Sequence, residues 1–194
     1  MVNESLTTAQ VNLAIQSAIA YYQRCRFYFN ESRAQTFSTV ASQEYYGTAD
    51  NTNIPNLSKI DTLVISVNGV RYPLTVQPWD MLEQKASTTT SLGQPDEYAY
   101  YAQQIRLYPI PDGSYTIQIS GLIRFAALSA DGDTNDWVTD GEELIRARAK
   151  WDLAMNVCYA PEIEMAAGKM ESIALRVLNA ETVRRISSRI SGYM

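Results

Sequence analysis

Few residues in this chain are equipped for chemistry, and their spacing narrows the field further. Among 194 residues there is no histidine. That excludes a Ser-His-Asp triad, a Cys-His pair, a His-liganded zinc and a histidine pH switch. The two cysteines, Cys25 and Cys158, are too few for a zinc cluster or a disulfide framework. Both fall inside helical patterns and read as small buried hydrophobes. No cofactor-binding fingerprint appears: there is no GxGxxG, no GxxxxGK[ST] and no GxSxG.

What remains is carboxylates. Asp131, Asp133 and Asn135, with Val138 at the eighth position and Glu142 eleven residues after Asp131, match the donor spacing of a calcium loop. However, Asp136 stands where such a loop needs glycine, and a strand pattern leads into it. A polar linker before a capped helix reads the same residues without metal. Asp96-Glu97 and Glu142-Glu143 are the carboxylate pairs a cell-wall glycosidase would draw on. Neighbours in sequence point apart, though, and helix N-termini attract acids for dipole reasons. A third reading makes Tyr98, Tyr100 and Tyr101 the sugar-binding cluster of a β-sandwich module for carbohydrate or a host surface.

The elements that must position these groups follow from periodicity. Thr7 and Gln10 form a capping box. Val11, Ala14, Ile15, Ala18, Ile19 and Tyr22 then share one helix face, which predicts a helix to about residue 27. Residues 35–40, 44–46, 60–67, 70–76, 98–102, 104–108 and 114–125 read as strands, and Asn68-Gly69 is a hairpin signal. Pro78 opens a short helix over 79–86. Asp140 is the expected cap of a helix with Leu144, Ala147, Trp151, Ala154 and Cys158 on its apolar face. Pro161 starts a last helix with the stripe Ile163, Ala166, Met170, Ala174 and Val177. The expected fold is α+β. Terminal helices (1–30 and 137–194) pack as a bundle with a C-terminal arm, and an antiparallel β-rich lobe (31–136), sandwich- or barrel-like, is inserted between them.

Charge is uneven along this order. The total is 16 Lys+Arg against 21 Asp+Glu, or -5. Residues 1–139 carry 8 basic and 13 acidic side chains, so they hold the whole deficit. Residues 140–194 are balanced at eight each, yet Arg176, Arg184, Arg185 and Arg189 face only Glu181 near the end. That basic, aliphatic-spaced arm suits partner docking; a solvated helix end with dipole-favoured arginines accounts for it equally well. The acidic total argues against broad nucleic-acid binding. No apolar stretch is long enough to cross a bilayer, and residues 1–8 lack the features of a signal peptide. A soluble protein made in the cytoplasm is expected. The 13 tyrosines suit either subunit contacts or an aromatic-rich sheet.

The order of motifs resembles the head-to-tail adaptor (connector or neck) proteins of tailed, especially short-tailed, bacteriophages. The likeness is carried by Phe27-Tyr28-Phe29 after the first helix, the Thr-rich stretch 35–45 (QTFSTVASQEY) and the turn 67–73 (VNGVRYP). The helix at 79–82 (WDML) and the segment 105–116 (IRLYPIPDGSYT) continue it, the latter similar to the family's LRLYPxPD…YT hairpin. Residues 127–129 (ALS), 136–138 (DWV) and a closing helical pair complete the order. The resemblance implies a non-enzymatic structural virion protein without cofactor or metal. It implies a homo-oligomeric ring, typically of twelve copies, bound below the portal protein. Tail (nozzle or hub) proteins would be further partners, and genomic DNA would pass through the channel without sequence-specific binding. The C-terminal segment contacts the portal in such proteins, which makes Arg176, Arg184, Arg185, Ile186, Arg189 and Ile190 the expected contact residues.

Overall fold

The computed structural model describes residues 6–88, 91–128 and 132–188. It is α+β and divides into two compact units, residues 1–30 with 125–194 and residues 31–124.

In the first unit, α1 (Thr8–Tyr22) starts at the capping box: Gln10 N–H donates to Thr7 Oγ1 (3.3 Å) and Thr7 N–H to Gln10 Oε1 (2.9 Å). The helix ends five residues before the periodicity predicts. Buried Asn30 draws the chain into a turn, accepting from Phe27 N–H (2.9 Å) and donating to Cys25 O (2.8 Å). That turn points Phe27 into the core, edge-to-face with Trp137 at 5.7 Å. Cys25 and Cys158 are exposed, not buried, because each lies just past a helix end.

The short helix α3 (Asp136–Thr139) is capped by Asn135, whose Oδ1 accepts from Trp137 N–H at 3.0 Å. The residue that caps α4 (Glu142–Asn156) is Gly141, without a side-chain bond; Asp140, the expected cap, closes α3 instead. Helix α4 packs against both α1 and α5 (Pro161–Ser188). It therefore buries two faces: Ile145, Ala149 and Leu153 as well as Leu144, Ala147 and Ala154. A single apolar stripe describes only half of it, and Trp151 is half-buried. On α5 the buried line is Ala167, Ala174, Leu178 and Thr182, whose small residues allow close approach. Ile163, Met170 and Val177 of the expected stripe are exposed. Phe125 and Leu128 pack on this core.

The second unit holds two four-stranded sheets. One has the order β1 (Glu31–Ser38), β10 (Thr116–Ile123), β3 (Leu57–Val67), β4 (Val70–Pro73), all antiparallel. The other runs β2 (Tyr45–Tyr46), β8 (Gln104–Tyr108), β7 (Glu97–Tyr101), β5 (Thr75–Val76), with β5 parallel to β7. Helix α2 (Trp79–Thr88) follows β5, and a two-residue pair joins β6 (Leu92–Gly93) to β9 (Ile110–Pro111). Leu63, Ile65, Ile117 and Ile119 of the first sheet form one core with Tyr98, Ile105 and Leu107 of the second. This is a sandwich, not a closed barrel. Asn68 and Gly69 both take positive φ (51° and 79°), as a two-residue primed turn requires.

Candidate functional site

The C-terminal part of α5 is the feature charge patterning singled out, and its side chains divide into anchors and free ends. Thr182 is 5 % exposed. Its hydroxyl donates to Leu178 O (2.8 Å) and accepts from Tyr28 N–H (3.2 Å), tying the helix to the turn after α1. The Arg185 guanidinium lies 3.7 Å from the Tyr28 ring centroid, and Tyr28 OH donates to Asp140 Oδ1 at 3.0 Å. Arg184 and Arg185 both donate to Glu181, at 2.7 and 2.8 Å. Those bonds hold the Glu181 carboxyl below the ordinary carboxylate range, that of Arg184 first and Arg185 second. Desolvation and the bond to Asp140 push the Tyr28 phenol up.

Among the expected contact residues, Arg176 and Arg184 present exposed side chains, the latter 75 % accessible despite its ion pair. Arg185 is partly spent on Tyr28. The side chain of Ile186, and Arg189 and Ile190 altogether, lie outside the described residues. The arm is thus part of the helical unit at least through Arg185, a role its net charge did not reveal. The signal was present in Thr182, the polar residue that continues the spacing of Ala174 and Leu178.

Several of the other chemistry-bearing groups are committed elsewhere. Glu97 takes Lys85 Nζ at 2.7 and 2.5 Å and Gln77 Nε2 at 2.9 Å. Glu142 is paired with Arg146 one helical turn on, and Asn135 is a helix cap. Asp131 lies outside the described residues. Among the described residues, no group of three or more His, Cys, Asp or Glu is placed to hold a metal ion. The tyrosine cluster is split: Tyr98 is buried, Tyr100 OH donates to Leu57 O (3.0 Å), and Tyr101 lies exposed against Trp79. No described helix is long and apolar enough to cross a membrane.

Periodicity missed a second constellation, in the β-unit. Arg106, 2 % exposed on β8, donates to Glu44 and Glu83 at 2.5 Å each. Its guanidinium sits 4.8 Å from the Trp79 ring and 5.5 Å from the Tyr45 ring. Burial lowers its affinity for the proton, but the two carboxylate bonds outweigh that and hold the charge in place. The Trp79 ring also meets Tyr45 at 5.8 Å and Tyr101 at 5.1 Å, so an aromatic ladder of three rings carries one cation.

The family model for the SU10 adaptor protein matches residues 2–189, nearly the whole chain. No curated protein matches it.

Proposed function

The chain belongs to the SU10 adaptor protein family, the structural components that join phage head to tail, and from that premise we propose that it docks on the portal as a ring. The ring extends the DNA channel and offers the platform on which tail proteins assemble. Portal contact falls to Arg176, Arg184, Arg185, Ile186, Arg189 and Ile190. The observation that supports this reading is the end of α5. Its first half is held by buried alanines, Thr182 anchors its second half, and exposed arginines project beyond that anchor. A cationic helix end held rigidly at its base costs little ordering entropy on docking to an acidic or hydrogen-bonding groove. The acidic 1–139 stretch, at -5, suits a passage through which DNA must slide without sticking.

The test is electron microscopy of the protein mixed with purified portal. Stacked rings are expected on the portal with the full chain. A chain ended after Ser188, and an Arg184→Glu variant, should keep the circular dichroism spectrum and melting curve while losing most of that occupancy. Bare portals at saturating concentrations of the full chain would overturn the reading. Unchanged occupancy with both variants would remove the portal-contact assignment alone.

A further inference from the structure

The two sides of the β-sandwich differ in charge. Residues 31–38, 57–73 and 116–124, which make the β1-β10-β3-β4 sheet and its ends, hold four basic and two acidic side chains. Residues 44–50 and 75–112, which make the other sheet, α2 and their loops, hold two basic and seven acidic ones. Both of those cations are consumed within the chain, Lys85 by Glu97 and Arg106 by Glu44 and Glu83. On the first sheet, Arg33 and Arg71 make no ion pair among the described residues, and Arg71 donates to the neutral side chain of Gln118. One side therefore has arginines to spare and the other has carboxylates to spare.

Both sides are open to a partner. Alternation turns Thr36, Thr62 and Thr116 away from the core residues Phe37, Leu63 and Ile117, and all three threonines are exposed. The helix of this unit, α2, packs on β7 of the other sheet. It buries Leu82 there and turns Asp80, Met81, Glu83 and Gln84 outward. Since a single core lies between the sheets, the two outer surfaces look in opposite directions. Two copies meeting by like surfaces set arginine against arginine or carboxylate against carboxylate, which disfavours a two-fold pairing. A head-to-tail contact instead sets Arg33 and Arg71 of one copy against Asp80 and Glu83 of the next. Opposed surfaces also turn the direction little at each step, as a ring of many copies requires.

We propose that the outer face of the β1-β10-β3-β4 sheet in one copy packs on the outward side of α2 in the next. This is the lateral contact of the ring, and the inference rests on the ring reading above. It is tested with the full chain on portal, ring occupancy being read by electron microscopy. Arg71→Glu and Asp80→Arg, both at exposed positions, should leave the monomer folded by its melting curve and each cut occupancy about tenfold or more. The double variant Arg71→Glu/Asp80→Arg exchanges the two signs and should recover most of that loss. As a second readout, Cys25 and Cys158 are replaced by serine and a short bis-maleimide is added. Arg71→Cys with Asp80→Cys in one chain should then give a ladder of covalent oligomers, and each single variant none. Full occupancy with both single reversals would overturn this interface while leaving the adaptor reading standing. So would losses that the double variant does not recover, rings without a ladder, or dimers from a single-cysteine variant. Absence of rings with the unmodified chain would overturn both.

Discussion

Arg106 shows how one residue can determine a surface it barely reaches. It is almost fully buried, yet it orders Tyr45, Trp79, Glu44 and Glu83, which come from a strand, a helix and the loop before β2. A lone buried cation is costly, and two planar carboxylate bonds are what make this one tolerable. Lysine supplies one compact ammonium and no plane to lay on the rings. Arg106→Lys is therefore expected to lose about 2 kcal/mol of stability, and Arg106→Ala about 3 kcal/mol. These values sit at the low end for a broken pair because Glu83 is 59 % exposed and water can take over its solvation. Urea titration measures both, and a Lys variant as stable as the parent would show that packing alone holds the ladder. The motif was invisible in sequence because alternation along QIRLY turns Arg106 to the face opposite Ile105 and Leu107 without showing that Trp79 and Glu83 of α2 cover it there.

Element by element, legibility tracked how local the cause was. The capping box of α1 and the Asn68-Gly69 turn were readable because their partners lie within four residues. The turn between β7 and β8 was not, since Ala102 and Gln103 take positive φ (49° and 62°) without glycine and are held there by strand pairing. The two-sided burial of α4 and the exposed line of α5 are tertiary facts: periodicity finds an apolar face but not what covers it. The arm's charge and the spacing of Thr182 were legible, whereas the Tyr28 N–H that Thr182 accepts from was not. Gly121 illustrates the same limit in the sheet. It sits at a register shift in β10, where an added Cβ would collide with the Lys59 carbonyl across the strand pair. Neither atom is at a flexible end. Gly121→Ala is expected to cost about 2–3 kcal/mol, read as a lowered denaturation midpoint with unchanged slope. A loss below about 0.5 kcal/mol would mean that the bulge relaxes freely.

At the scale of the whole molecule, the chain leaves the helical sequence at Asn30 and returns to it at Phe125. The β-unit closes on itself between those points. Glu31 is the register partner of Leu122, so its two ends lie side by side on adjacent antiparallel strands. Its core is drawn from its own two sheets, and its 94 residues (31 through 124) are enough to bury most of the surface they would expose when unfolded. A fragment of residues 31–124 is therefore expected to fold alone, with a β-type far-ultraviolet spectrum and a single cooperative urea transition. It lacks α5, which carries the portal contact, but keeps both faces of the contact between copies. Added in about tenfold excess, it should compete for those faces and lower ring occupancy of the full chain on portal. A fragment that is unfolded, or that melts without cooperativity, would mean that the helices supply part of its core. A folded fragment that leaves assembly unchanged would move the contact between copies from the sandwich to the helices.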